Sequence, residues 1–153
     1  RASVQRALDT ARETGFPADR LMFEFSENEI VDPAHIRNIV DTYREMGFQT
    51  AIDDFGAGYS GLNLLAEFQP DIVKLDMALI RNIDQDRVRR SITNGIVATC
   101  RSLGCRVLAE GVESAAEYRA LREMGISLFQ GYLFAKPGLE SLPLVSTELW
   151  EQI

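Results

Sequence analysis

Phe48-Gln49-Thr50-Ala51-Ile52-Asp53-Asp54-Phe55-Gly56-Ala57-Gly58-Tyr59-Ser60-Gly61-Leu62 runs from an alternating apolar segment into two adjacent carboxylates and then a glycine-rich turn. With a period of two, Phe48, Thr50 and Ile52 share one face of a strand while Ala51 and Asp53 share the other. Asp53 therefore points where the small side chains point, and Asp54 is expected to face the opposite way, at the rim. Neighbouring aspartates at a strand end repel each other and lose hydration, a cost that a divalent cation or a positive neighbour offsets. Taken alone, Asp-Asp-x-Gly reads more readily as an Asp-rich turn, because both residue types are ordinary there.

Outward from this stretch the chain alternates predicted strands and helices. Strands are expected over 21–27, 48–54, 72–76, 106–113 and 128–134, and helices near 33–46, 62–68, 87–103 and 115–124. An amphipathic helix precedes them, with Val4, Ala7, Leu8 and Ala11 on one face. Gly15, Gly47, Gly104 and Gly125 each stand where a left-handed helix C-cap belongs. Asp32-Pro33 and the capping box Ser114-x-x-Glu117 mark helix starts. Trp150 is expected to anchor the terminal segment by packing.

Parallel strands joined by helices leave a doubly wound sheet or a (β/α)8 barrel. The barrel is favoured because each strand carries a polar residue on one alternating face: Glu24, Asp53, Lys74, Glu110 and Gln130. Barrel active sites sit at the C-terminal ends of the strands, where such residues would converge.

The 153 residues are 46% hydrophobic and 25% charged with a formal net charge of −7, the balance of one globular domain with a sizeable core. That acidity argues against binding nucleic-acid polymers or anionic membranes through surface charge, and leaves open a small phosphorylated ligand held by metal ions. No apolar run approaches the ~20 residues of a membrane span. Cys100 and Cys105 form no paired C-x-x-C motif, so they are expected to pack in the core and the reducing cytoplasm is the expected compartment.

Glu24, Asp53, Asp54 and Glu110 would bring four carboxylates to one mouth against a single inward lysine, Lys74, an imbalance that calls for metal. An all-oxygen donor set selects Mg²⁺ or Mn²⁺ over zinc, and the only histidine, His35, is expected to be exposed at a helix start. Adjacent Asp53 and Asp54 suit two ions, an arrangement fitted to in-line displacement at phosphorus. Lys74 could orient water or neutralise developing charge.

These residues resemble the EAL domain of cyclic di-GMP phosphodiesterases. Glu24-Phe25-Ser26-Glu27 is similar to its Glu-x-Thr-Glu strand, Asp53-Asp54-Phe55-Gly56 to its Asp-Asp-Phe-Gly loop, and Lys74-Leu75-Asp76 to its Lys-x-Asp strand. Ala109-Glu110-Gly111-Val112-Glu113 and Gln130-Gly131-Tyr132 resemble its last two strands. The resemblance implies a (β/α)8 TIM-like barrel, present here as about five parallel strands, with residues 1–153 forming the C-terminal part of one domain. The family's Glu-Ala-Leu motif and an asparagine ligand would precede Arg1.

The implied reaction is hydrolysis of cyclic di-GMP to linear pGpG with two Mg²⁺ or Mn²⁺ ions, in bacterial signalling. By resemblance Glu24, Asp53, Asp54 and Glu110 are metal ligands, and Lys74 assists the attacking water with Asp76 beside it. Gln130 lines the site, Glu113 supports it, and Glu27 steadies the loop after Asp54, through which the family forms homodimers. Two other readings stand beside this one: a non-catalytic cyclic di-GMP receptor or regulatory dimerisation module, and an enolase-type barrel in which one Mg²⁺ and a lysine act on a carboxylate substrate. Adjacent aspartates suit two metals better than one.

Overall fold

The computed structural model describes residues 2–26, 33–58 and 61–153; Glu27, Asp32 and the side chain of His35 lie outside the described residues. The chain runs α1 (Ala2–Thr14), β1 (Met22–Ser26), α2 (Pro33–Glu45), β2 (Gln49–Phe55), α3 (Gly61–Glu67), β3 (Ile72–Leu75) and α4 (Met77–Ile80). It continues through α5 (Arg87–Leu103), β4 (Arg106–Ala109), α6 (Ala115–Glu123), β5 (Leu128–Phe129) and α7 (Thr147–Gln152). The strands form one parallel sheet in the order β1-β2-β3-β4-β5, so each strand lies beside its sequence neighbour, as in a barrel wall. This is an α/β fold, with five of the strands expected of a TIM-like barrel.

The register explains the division of faces. Glu24 aligns with Ala51, Ala51 with Ile72 and Ile72 with Arg106, so Glu24, Asp53, Lys74 and Leu108 share one face. Ile52, Val73, Leu75, Val107 and Ala109 share the other, where they pack with Val40, Leu64, Leu65, Val97, Cys100 and Leu121 from the helices. Burial of this helix-facing layer supplies the main driving force, at about 25 cal/mol per Å² of apolar surface. A second cluster joins Val4 and Leu8 of α1 to Phe48, with Phe23 and Tyr43 ring to ring at 4.6 Å.

The helix punctuation follows the sequence. Gly15, Gly47, Gly104 and Gly125 adopt φ of 69°, 85°, 77° and 88°, and α6 opens with the complete capping box. Cys100 and Cys105 are buried and unpaired, and burial pushes the Cys100 thiol up to about 12, so both act as packing residues. Trp150 is half-exposed and meets Phe134 at a centroid distance of 6.1 Å, which docks α7 on the aromatic group of Tyr118, Phe129 and Phe134.

Three elements differ from expectation. β4 stops at Ala109, not at residue 113, because Gly111 turns to φ 67° and the chain leaves the ladder after the Glu110 N–H bonds Leu75 O at 3.1 Å. β5 covers Leu128–Phe129 alone: Gly131 lies against the Val112 backbone, and Phe134 N–H bonds back to Gly131 O at 3.1 Å. The short helix α4 was not legible as a helix; Asp76 caps it by accepting from Ala78 N–H at 2.8 Å.

Two alanine substitutions are expected to have opposite signs. A Cβ at Gly131 would meet the nitrogen and oxygen of Val112, backbone atoms that cannot step aside, so Gly131→Ala is expected to cost about 1–3 kcal/mol. Gly95 in α5 has nothing near its missing Cβ, and Gly95→Ala should stabilise by about 0.5–1 kcal/mol through helix propensity. Denaturant melts of the two variants measure both; equal and small shifts would contradict the packing argument.

Candidate active site

The alternation of β2 delivers Asp53 to the inner face, and β3 delivers Lys74 beside it. The Lys74 Nζ lies 2.9 Å from a carboxylate oxygen of Glu24 on β1, of Asp53 on β2 and of Glu110 just beyond β4. Its side chain is 8% exposed, against 37% for Glu24, 28% for Asp53 and 16% for Glu110. The buried cation is thus ringed by anions that keep partial contact with solvent.

Asp54 corrects a local expectation. Strict alternation would turn it to the opposite face, but the register slips between Ile52 and Phe55, where three residues of β2 are matched by two of β3. The extra residue makes a β-bulge. Asp54 takes φ 53°, a left-handed conformation that aspartate tolerates better than most residues, and its N–H donates to Asp53 Oδ1 at 3.1 Å. As a result Asp53, Asp54 and Glu110 each offer a carboxylate oxygen within 4.8 Å of the others. Glu24 belongs to the Lys74 ring and is not part of this trio.

The charges polarise one another unequally. Burial pushes the Asp53 carboxyl up, but the Lys74 ammonium outweighs it and holds the group below its ordinary value. Glu110, more deeply buried beside the same ammonium, is raised by desolvation. Asp54 is raised by burial first and then by repulsion from Asp53 and Asp76. For Lys74, burial works against the charged form, yet its three carboxylate partners prevail and raise the pKa.

Three carboxylate oxygens this close fit a hard divalent cation such as Mg²⁺ or Mn²⁺, whose charge would relieve the repulsion that raises Asp54. The remaining candidates divide. Glu113 and Gln130 line an adjoining cleft of about 430 Å³ with Met77, Tyr132 and Lys136. Glu113 is held by Arg81 at 2.9 Å, and Gln130 is exposed. The Asp76 carboxylate is engaged as the α4 cap, and Glu27 lies outside the described residues. Sequence reading missed Arg81 and the cleft residues Met77 and Lys136, which carry no local motif and gain meaning only by proximity, whereas Tyr132 stands with Gln130 in the last strand motif. A larger groove of about 620 Å³ runs along α1 past Phe16 and Leu21, remote in character from the carboxylates and mainly apolar.

With the geometry in place, comparison with known proteins is specific. Residues 1–137 match the EAL domain. The cyclic di-GMP phosphodiesterase PdeR of Escherichia coli is 42% identical over 113 residues, covering 74% of this chain and 16% of PdeR. The blue light- and temperature-regulated antirepressor BluF of the same organism is 34% identical over 145 residues, covering 94% of this chain and 36% of BluF. The chain thus spans well under half the length of these relatives. Among solved structures, the cyclic di-GMP-bound form of a standalone EAL protein from Vibrio cholerae superposes with a TM-score of 0.91 at 52% identity, covering 97% of this chain and 63% of that one. A manganese and cyclic di-GMP complex of Klebsiella pneumoniae BlrP1 gives 0.83 at 40% identity, covering 89% and 35%.

Removing the hub charge tests the electrostatics. The raised Lys74 pKa contributes stability below its unfolded value of about 10.4 that is lost as pH climbs through the folded value. The lowered Asp53 pKa contributes stability above about 3.9 that is lost as pH falls through the folded value. Lys74→Met is therefore expected to destabilise by about 2 kcal/mol near neutrality, the usual cost of orphaning buried charge discounted for partial exposure. The gap to wild type should be widest from about pH 5 to 9, begin to narrow below about pH 4 and close only as pH falls through the lowered Asp53 value. Melts across pH check it; a gap that does not depend on pH would refute the charge argument.

Proposed function

This chain belongs to the EAL domain family, and from that premise we propose that residues 1–153 are the C-terminal part of a single domain that hydrolyses cyclic di-GMP to linear pGpG. The observation that carries this reading is the trio Asp53, Asp54 and Glu110 placed beside the Lys74 ring, a concentration of charge that binding alone does not require. Asp53, Asp54 and Glu110, joined by Glu24 from the Lys74 ring, would hold Mg²⁺ or Mn²⁺, and the adjacent aspartates would suit two ions. Bound cations supply Lewis acidity to the phosphodiester and acidify the attacking water.

The chain's own residues prepare that chemistry. Lys74 draws three carboxylates together on one ammonium, which lies where it can orient water and offset charge developing at phosphorus. The bulge at Asp53-Asp54 turns two adjacent carboxylates toward one point. Gln130 and Glu113, in the adjoining cleft, contact the nucleotide, and Glu27 braces the loop after Asp54. Asp76 acts through the α4 cap, which holds the end of the Lys74 strand.

The same domain pairs with a second copy through α3 and α5. Leu62, Val88 and Ile92 stand 63%, 65% and 49% exposed, and Phe55, Gly56 and Ile96 help line a groove of about 530 Å³ between these helices. The net charge of −7 sets nucleic-acid polymers aside as partners, and no helix among the described residues is long and apolar enough to cross a membrane. Cytoplasmic placement completes the reading, with Cys100 and Cys105 as free thiols.

A second reading has one observation in its favour: BluF, similar over 94% of this chain, is named an antirepressor. On that reading the domain is a cyclic di-GMP receptor or a regulatory dimerisation module without turnover. Product formation separates the two. In the full domain, pGpG should form with Mg²⁺ or Mn²⁺, stop with chelator, and be abolished in Asp54→Asn. Asparagine tolerates the left-handed conformation, so that variant should stay folded, and its metal-free melting temperature should rise slightly as repulsion is relieved. Hydrolysis that persists in chelator would sink the two-metal reading, and binding without pGpG would favour the receptor. For the dimer, Ile92→Glu should convert the domain to monomer by light scattering; an unchanged mass would place the interface elsewhere.

A further inference from the structure

Glu117 does more than close its capping box. The box accounts for one carboxylate oxygen: Oε2 accepts the N–H of Ser114 at 3.2 Å and of Glu113 at 3.1 Å, while the Ser114 hydroxyl accepts the Glu117 N–H. The other oxygen, Oε1, reaches across to a different loop, accepting the Asn82 N–H at 3.0 Å with the Arg81 guanidinium at 3.5 Å. The side chain is 4% exposed. Burial pushes its pKa up, but the three backbone N–H groups and Arg81 outweigh it and keep it below the ordinary value. A helix cap has no need of that second set of partners.

The segments joined here are the turn after α4, on the connection that follows the Lys74 strand, and the loop that leaves β4 at Glu110. Arg81 reinforces the junction, with Nη2 on the Glu113 carboxylate at 2.9 Å and near Gly111 O at 3.4 Å, while its own carbonyl accepts from Arg89 Nη1 at 3.0 Å. Met77 closes over Gly111, where a Cβ would fall 2.9 Å from the Met77 Cβ. Upstream, Glu110 is tied to β3 through its N–H on Leu75 O. Glu110 thus lies between a ladder bond on one side and the Glu117 junction a few residues on.

We propose that Glu117 is a positioning residue for the carboxylate site: by locking the turn after α4 to the loop after β4, it sets the placement of Glu110 relative to Asp53 and Asp54. As regards turnover, this rests on the phosphodiesterase reading. Displacing one ligand of a converging set weakens metal binding and the chemical step by about tenfold to a hundredfold. Apparent affinity for the dinucleotide, spread over contacts in the adjoining cleft, changes less.

The test compares Glu117→Ala, Glu117→Gln and Ser114→Ala in the full domain, well below each melting temperature. Ser114→Ala removes the cap hydroxyl and leaves the loop junction, so it should lower the melting temperature with turnover near wild type. Glu117→Ala should lower kcat and Mn²⁺ affinity by about tenfold or more with KM little changed, and Glu117→Gln, with a single acceptor oxygen, should fall between. Hydrogen exchange supplies a readout that needs no activity. The amides of Leu79, Arg81 and Glu110 bond to Asp76, Met77 and Leu75, not to Glu117, and should nevertheless exchange faster together in Glu117→Ala. Faster exchange confined to residues 113–117, or wild-type kcat in folded Glu117→Ala, would reduce Glu117 to a helix cap and overturn the proposal. A wild-type domain that makes no pGpG would defeat the phosphodiesterase reading, while the exchange pattern and Mn²⁺ binding would still decide the loop coupling.

Discussion

One buried ammonium organises the mouth of this sheet. Glu24 on β1, Asp53 on β2 and Glu110 just past β4 would repel one another if they met without a counter-charge; the Lys74 Nζ, 2.9 Å from each, makes the meeting possible. Its own burial is tolerable because those three carboxylates surround it, and their burial is tolerable because of it. Neither half of the cluster has an alternative partner of opposite charge at that distance among the described residues. Gathering like charges at one mouth carries a cost in repulsion that the fold must bear.

That cost is met on the opposite face. Ile52, Val73, Leu75 and Ala109 alternate with the charged residues and are almost fully buried against the helices, so the same strands that expose a polar mouth also build the core. The bulge in β2 belongs to this division of labour. Phe55 keeps its place in the core opposite Leu75, while the extra residue before it swings Asp54 inward. A regular strand could have satisfied the core or the pair of aspartates, but not both.

The loops beyond the strand ends need restraint, because short strands leave them little ladder to lean on. β3 has four residues, β4 four and β5 two. Backbone bonds continue where the strands end, as in Val112 N–H to Gln130 O at 3.0 Å and Leu133 N–H to Val112 O at 3.0 Å. The Arg81 and Glu117 contacts extend the same function to the turn after α4. Rigid placement of side chains on such turns requires this kind of secondary support.

Much of this was legible in the residues themselves. The βα order, the faces of Asp53 and Lys74, the helix caps and the oxygen-rich character of the site follow from backbone periodicity and local capping, which act over a few residues. The short extents of β4 and β5, the helix α4 and the inward turn of Asp54 did not. Asp54 illustrates the reason: its direction depends on a register slip against β3, and a strand read alone cannot know its partner's register. Glu117 illustrates it at longer range. Its capping box spans four residues and could be read directly, whereas its bond to Asn82 crosses 35 residues of chain and exists only because packing brings two loops together. The sequence by itself determined which groups are available and on which face they start; the tertiary structure decided which of them meet, because distances across separate strands are set by packing and not by spacing along the chain.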